Sequence, residues 1–206
     1  MTSSSATHNK KIAHLKKSDP ILKMIIEGVK LRELTVTREP FEALVEAIVS
    51  QQLSVKAADT IFARFATLTP GKKFPTSREI IKMPTAKMRK CGLSRMKVTF
   101  IKDLAKKTLD GTLNFKTIDR LSDEEVIEHL TSVKGIGRWT AEIFLIFSLR
   151  RDDVFSYGDL GLRNALQRLY KMKKPPTPRQ VEKITAKWKP YRSLASRYLW
   201  ESLDNR

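Results

Sequence analysis

The chain has 206 residues, which is enough for one or two closely packed domains with a substantial core. Its 40 lysines and arginines against 22 acidic residues give a net charge of +18, spread along the chain. Such a surface favours a polyanion, with nucleic acid the first candidate and an acidic membrane the second. No apolar run approaches the ~20 residues of a membrane span, the N-terminus lacks an apolar signal region, and one cysteine excludes an internal disulfide or a thiolate-held iron–sulfur cluster. An intracellular protein is therefore expected.

The first quarter of the chain predicts helices that follow a basic leader. Residues 1–18 are rich in serine, threonine and lysine, and we expect them to be mobile. Asp19 before a proline predicts one helix start, and Pro40 opens a second helix. Residues 50–54, Ser-Gln-Gln-Leu-Ser, then interrupt the helical pattern, and the last serine is predicted to cap the next helix. The two glutamines either satisfy loose backbone groups at this break or serve a function.

Capping residues mark the starts of several later helices. Thr76, Ser122 and Thr177 each have a glutamate or glutamine three positions later, which is the pattern of a capping box, and Ser94 is predicted to cap another helix. No stretch alternates convincingly with period two, so strands are not expected. The sequence therefore predicts an all-α fold of about ten helices, arranged in two lobes.

A short glycine-containing segment, Val133–Gly137, separates two apolar helical runs. Its sequence is Val-Lys-Gly-Ile-Gly, and glycine lets the backbone approach a partner without an intervening side chain. The amides after such a turn lie at a helix N-terminus, where unpaired N–H groups and the helix dipole favour an anion. In so basic a chain the expected anion is a DNA phosphate. The alternative is a plain tight connection between two packed helices.

An isolated acidic residue, Asp159, stands at the start of the helix that follows this hairpin and its second helix. Aspartate is a favoured N-cap, so a structural role alone would explain it. The order of hairpin, loop at residues 150–158 and aspartate nevertheless resembles the helix-hairpin-helix superfamily of DNA glycosylases. Within that superfamily the chain is most similar to the alkylation-repair, or 3-methyladenine, branch, over roughly residues 20–203.

The resemblance implies an architecture and a set of site residues. A helical barrel lobe would span about residues 55–155, and a second lobe would join about residues 19–54 to residues 156–206. The extra N-terminal α/β domain of larger bacterial relatives is not expected. Asp159 is the implied catalytic residue, and Gln52 with Leu53 is the implied wedge that enters the DNA base stack. The implied base pocket consists of Trp139, Trp200, Tyr157 and Leu160. The implied phosphate-binding hairpin consists of Val133, Lys134, Gly135, Ile136, Gly137 and Thr140.

The resemblance also implies a reaction. Alkylated purines such as 3-methyladenine are cationic and leave as neutral bases, so one carboxylate that stabilises the sugar's oxocarbenium charge is sufficient. Strand-cutting relatives have a Schiff-base lysine where this chain has Trp139, which predicts a monofunctional enzyme without lyase activity. Ordinary packing is the alternative role for both pocket tryptophans. Ile143 and Leu160 replace tyrosines found in some relatives, which makes the pocket less aromatic.

The expected partner is double-stranded DNA with alkylated bases or abasic sites, bound by a monomer that does not associate with a membrane. No cofactor is expected, although relatives hold a monovalent cation, Na⁺ or K⁺, at hairpin carbonyls that correspond to Thr131, Val133 and Ile136. The expected location is the cytoplasm or nucleoid of a bacterium, or the nucleus of a eukaryote. The alternative function is a non-catalytic protein that binds damaged or abasic DNA with the same fold.

Overall fold

The structure is a computed structural model that describes residues 3–32, 34, 38–71 and 73–204. Over these ranges it contains twelve α-helices, two 3₁₀ helices and no strand, which confirms the all-α prediction. In chain order the helices are α1 (Ser3–Ser18), α2 (Pro20–Gly28), α3 (Pro40–Ser50), α4 (Val55–Ala66), α5 (Ser77–Lys82), α6 (Thr85–Arg89), α7 (Arg95–Leu109), α8 (Asp123–Thr131), α9 (Arg138–Phe147), α10 (Leu160–Leu169), α11 (Pro178–Thr185) and α12 (Arg192–Asp204), with 3₁₀ helices at Ile118–Arg120 and Ala186–Trp188. None of the described helices is both long and apolar enough to cross a membrane.

The chain divides into two compact units. The central unit is Thr37–Leu149 and contains α3 to α9. The terminal unit combines Met1–Val36 with Arg150–Arg206 and contains α1, α2 and α10 to α12. Each unit has its own buried apolar residues, and each carries part of the candidate site.

The predicted N-caps are confirmed wherever the sequence had a strong capping signal. In each case the side-chain oxygen of the cap accepts a hydrogen bond from a backbone amide in the first helical turn, which satisfies a donor that the helix itself leaves unpaired. The caps formed in this way are Asp19, Ser54, Thr76, Ser94, Ser122 and Thr177. Three of them, Thr76, Ser122 and Thr177, form complete capping boxes.

The N-terminal segment differs from the prediction of a mobile leader, because residues 3–18 form α1. Leu15 is fully buried in the core of the terminal unit, and Ile12 packs against the same core. Lys16 and Lys17 lie in the last turn of α1, where positive charge favours the helix dipole. The apolar residues that anchor α1 are few, so the polar composition of the segment concealed them.

Helix α3 also lies in a different unit from the one expected. Its four core residues, Leu44, Val45, Ile48 and Val49, are fully buried. The helix packs against α4, α7 and α9, all of which belong to the central unit. Residues 37–54 therefore belong with the helices that follow them. The family resemblance had implied instead a lobe that joins residues 19–54 to the C-terminal helices.

Candidate functional site

The connection between α8 and α9 forms the predicted hairpin, and its geometry requires glycine at one position. Gly135 has a φ of +82°, a left-handed conformation that other residues rarely adopt. A Cβ at this position would lie 2.1 Å from Cδ2 of the Phe100 ring on α7, so the ring packs directly on the glycine backbone. By contrast, a Cβ at Gly137 would meet no atom within 4 Å. One glycine is needed for folding, and the other leaves open space beside the backbone.

Polar side chains from α7 and from the end of α3 hold this hairpin in place. The Gln51 side-chain amide donates to the carbonyl of Gly135 at 2.7 Å. The backbone amide of Lys134 donates to Asp103 Oδ2 at 2.9 Å. Lys107 on α7 contacts the carbonyl of Ser132. The hairpin is therefore held through the backbone of Ser132, Lys134 and Gly135.

Gly137 is the N-cap residue of α9, and no side chain among the described residues caps this helix. A helix of ten residues that starts in this way presents its first amides, up to that of Thr140, at the positive end of its dipole. Arg138, in the same turn, pairs bidentately with Glu124 at 3.0 and 2.6 Å and with Glu142 at 3.0 Å. Because these carboxylates compensate the guanidinium charge, the positive potential of this turn comes mainly from its backbone amides.

The two glutamines of the break after α3 have different environments. Gln51 serves the backbone, as described above, so the structural interpretation applies to it. Gln52 has a φ of +57° and an exposed side chain, and Leu53 beside it is 40% exposed. Lys97 supports the loop because its Nζ donates to the carbonyls of Val49 and Gln51, each at 2.7 Å. Burial lowers the pKa of this lysine.

A groove of about 640 Å³ lies in the central unit beside this loop. Trp139, the second residue of α9, lines it and is 49% exposed, so it is not an ordinary core residue. The other lining residues include Gln51, Gln52, Met96, Phe100 and Ile143. The groove is mostly apolar and has amide groups at one edge, which suits a flat aromatic ligand.

In the terminal unit, Asp159 caps α10, as the sequence predicted. Its side chain is buried, and Oδ1 accepts hydrogen bonds from the amide of Leu162 at 2.7 Å and from the indole Nε1 of Trp200 at 3.0 Å. The neighbouring Tyr157 and Leu160 are 36% and 63% exposed. A buried carboxylate with a fixed orientation thus lies beside an exposed apolar rim.

The succession of a hairpin, a helix and a capped aspartate agrees with a known family. The family model described as "HhH-GPD superfamily base excision DNA repair protein" matches residues 45–190. The chain belongs to this superfamily.

Individual relatives within the HhH-GPD superfamily are similar over most of the chain. DNA-3-methyladenine glycosylase 1 of Schizosaccharomyces pombe is 45% identical over 166 residues, which cover 80% of this chain and 73% of the relative. The DNA-3-methyladenine glycosylase of Saccharomyces cerevisiae is 35% identical over 93% of this chain and 69% of its own length. The solved structure of the Schizosaccharomyces pombe 3-methyladenine DNA glycosylase in complex with abasic DNA matches with a TM-score of 0.83 and 40% identity, over 95% of this chain and 97% of that one.

The loop that precedes Asp159 in this HhH-GPD chain is held by hydrogen bonds from the start of α12, and no motif in the sequence predicted them. Arg192 at the start of α12 binds Asp153 bidentately, with Nε–Oδ1 at 2.7 Å and Nη2–Oδ2 at 3.1 Å. The Ser193 hydroxyl accepts a hydrogen bond from the amide of Val154 at 2.9 Å. These contacts join residues about 40 positions apart, so no local pattern reveals them.

The predicted site residues are thus distributed over both units. The hairpin, Gln52, Leu53 and Trp139 belong to the central unit, while Asp159 and the other pocket residues belong to the terminal unit. A hydrogen bond joins the side chains of Asp159 and Trp200. The described residues contain no group of three or more His, Cys, Asp or Glu side chains that could hold a metal ion. At the hairpin, the carbonyl of Val133 accepts a hydrogen bond from the amide of Ile136 at 3.1 Å.

Proposed function

We propose that this HhH-GPD protein is a monofunctional DNA glycosylase that hydrolyses the N-glycosidic bond of alkylated purines, such as 3-methyladenine, in duplex DNA. Two relatives that are 45% and 35% identical carry the name DNA-3-methyladenine glycosylase. A third match is the structure of such an enzyme with abasic DNA, and an abasic site is what base removal leaves. The observation that carries the proposal is the buried, oriented carboxylate of Asp159 in a member of this family.

The chemistry requires only one carboxylate. The C1′–N bond breaks and its electron pair leaves with the cationic base, which becomes neutral without a general acid. The sugar develops oxocarbenium character, which the negative charge of Asp159 stabilises. A water oxygen then bonds to C1′, and the same carboxylate accepts the proton of that water.

The central unit supplies the DNA grip in this proposal. The amides at the start of α9 bind a phosphate near the lesion, and the exposed Gln52 with Leu53 fills the gap left by an extruded nucleotide. Trp139 offers an aromatic face to a cationic base by cation–π attraction. In the terminal unit, the residues proposed to contact the base are Trp200, Tyr157 and Leu160. The carbonyls of Thr131, Val133 and Ile136 would hold a monovalent cation, whose charge would favour a phosphate at the hairpin.

Trp139 also determines what happens after base release. A strand-cutting glycosylase forms a Schiff base between a lysine amine and C1′, and an indole cannot do so. The protein therefore leaves an intact abasic strand. We also propose that it acts as a monomer without an organic cofactor and that it works inside the cell on nucleoid or nuclear DNA.

The function is tested by base release from methylated duplex DNA. Chromatography should detect free 3-methyladenine from the parent protein, with abasic sites left in the DNA and no adduct trapped by borohydride. In the matched variant, Asp159→Asn, an asparagine still caps α10 but carries no charge, so single-turnover release should fall by about 10²–10³-fold. A parent protein that binds abasic DNA tightly and releases no base would instead be a non-catalytic damage-binding protein.

The hairpin offers a second test, because its two glycines have different surroundings. Gly137→Ala places a methyl group in the open space at the start of α9, so the protein should fold but bind duplex DNA about tenfold more weakly, the equivalent of one hydrogen bond to a charged group. Gly135→Ala is the control for folding, since it collides with Phe100 and should lower the melting temperature. Unchanged DNA affinity of the Gly137 variant would remove the hairpin from the proposed interface.

A further inference from the structure

The indole of Trp200 contacts the Asp159 carboxylate through its polar edge. Its Nε1 donates to Oδ1 at 3.0 Å, and the same oxygen accepts the amide of Leu162 at 2.7 Å. Capping α10 needs only the amide bond, as the single hydrogen bonds of the serine caps at positions 54 and 94 show. The indole bond comes from α12, 41 residues away in sequence. It therefore does something for Asp159 that capping does not require.

A glycine, Gly161, lies directly beside the carboxylate oxygen that takes part in this contact. Gly161 is the second residue of α10 and is not among the glycines with positive φ, so the backbone does not require glycine here. Glycine weakens a helix relative to alanine. A Cβ at this position would lie 3.1 Å from Asp159 Oδ1 and 3.4 and 3.5 Å from Cδ1 and Nε1 of Trp200. Only the separation from Oδ1 is tighter than most Cβ contacts, so the carboxylate would have to shift by a few tenths of an ångström, whereas the indole atoms would lie at ordinary van der Waals distance.

We propose that Trp200 and Gly161 are positioning residues for Asp159: the indole N–H holds one carboxylate oxygen, and the missing Cβ leaves room for that oxygen where the indole reaches it. Two donors from different helices on one oxygen fix the rotation of the carboxylate, because either torsion of its side chain would break one of the bonds. This role deepens the proposed function and rests on it. It also differs from the base-pocket role implied for Trp200 by resemblance, since contact with a base would use the ring face and positioning uses the N–H.

Trp200→Phe separates the two roles because phenylalanine keeps an aromatic face and removes the donor. If the indole positions Asp159, single-turnover base release should fall by about 10- to 100-fold, while affinity for lesion-containing DNA stays within about twofold. If the ring only stacks on the base, release should stay near the parental rate. A sharper variant replaces Trp200 by β-(3-benzothienyl)alanine, in which sulfur replaces the N–H at almost unchanged shape, and it should show the same loss.

Trp188→Phe is the matched control for Trp200→Phe. This buried indole donates to Asp19 Oδ2 at 3.1 Å, in the same unit but at a different aspartate. The control should lower the melting temperature and leave the rate of base release per folded molecule unchanged. Equal rates for the parent and Trp200→Phe proteins, at equal affinity, would overturn the positioning role.

Gly161→Ala tests the other half of the proposal. Alanine favours the helix, so a purely structural glycine would give a variant that melts at or above the parental temperature and releases base normally. The positioning role predicts that melting is maintained and that single-turnover release falls about 10-fold or more. Parental release by Gly161→Ala would contradict the role of this glycine.

The indole signals in a proton–nitrogen NMR spectrum test the contact without any activity. The chain has three tryptophans, so three signals are expected. Asp159→Asn should shift the Trp200 signal and speed its hydrogen exchange, and it should leave the Trp188 signal in place. A Trp200 signal that ignores this change would overturn the pair. Absence of base release by the parent protein would contradict the proposed function, and the pair would still be judged on these signals.

Discussion

Two aspartates of the terminal unit, Asp19 and Asp159, share one local arrangement. Each is buried, each caps a helix, and each accepts a hydrogen bond from a tryptophan indole, at 3.1 Å from Trp188 and 3.0 Å from Trp200, respectively. By capping chemistry alone the two positions cannot be told apart.

Their surroundings differ. Oδ1 of Asp19 accepts the amides at the start of α2, and Oδ2 accepts the Tyr170 hydroxyl and the indole of Trp188, which is fully buried. Asp159 instead has the exposed Leu160 and Tyr157 as close neighbours in sequence. The half-exposed Lys187 also lies 3.9 Å from Oδ2 of Asp19, so exposed neighbours alone do not distinguish the two aspartates. Asp19 is distinguished by two core side chains, Tyr170 and Trp188, that hydrogen-bond its Oδ2, and this gives it a role in the fold.

The largest effect expected at the structural aspartate is a loss of stability in Asp19→Asn. An asparagine can still cap α2, but its amide nitrogen cannot accept the hydrogen bonds of Tyr170 and Trp188. Leaving buried donors unsatisfied should lower the free energy of unfolding by about 2–4 kcal/mol. Denaturant unfolding measures this loss, and base release per folded molecule should remain parental. A stable Asp19→Asn protein with impaired release would break the comparison.

A smaller effect is expected at alkaline pH. Burial, followed by the hydrogen bond to Asp19 and its negative charge, raises the pKa of Tyr170 well above its ordinary value. The unfolded chain releases the Tyr170 proton near pH ~10, while the folded protein keeps it. The contribution of this hydroxyl to the free energy of unfolding is therefore complete below that pH and is lost as the pH rises further. Above that pH, the free energy of unfolding should fall by about 1.4 kcal/mol per pH unit because of this one group.

Unfolding at about pH 9 and about pH 11 tests this dependence. Tyr170→Phe should remove much of the loss, and Asp19→Asn should reduce it because two of the three causes of the pKa shift disappear. Burial also raises the pKa of Tyr198, so a residual slope is expected in both variants. The same slope in all three proteins would contradict the account of Asp19.

The sequence predicted those features that local chemistry determines. Helix starts at Asp19, Ser122 and Asp159 follow from the side chain that caps them, and the break between α8 and α9 follows from two glycines between apolar runs. Which of the two glycines the backbone requires became clear only from the left-handed conformation at position 135. Helix α1 escaped prediction because few of its residues are apolar, and only tertiary packing shows that Leu15 is fully buried.

The remaining site contacts join distant segments and leave no periodic signal. Lys97 binds carbonyls 46 and 48 positions away, and Trp200 binds an aspartate 41 positions away. Gln51 and Gln52 are identical neighbours in sequence, yet one binds the hairpin backbone and the other is exposed. The two side chains have different environments because the backbone at Gln52 is left-handed, and the sequence alone does not specify this conformation.

The central claim is that the charge of Asp159 serves the reaction while Asp19 serves the fold. The most direct measurement is single-turnover release of 3-methyladenine, together with thermal melting, for the parent, Asp159→Asn, Asp19→Asn and the double variant. We expect release to fall by about 10²–10³-fold whenever position 159 is changed, with melting nearly unaffected, and melting to fall whenever position 19 is changed. An Asp159→Asn protein that melts normally and releases base at the parental rate would contradict the claim.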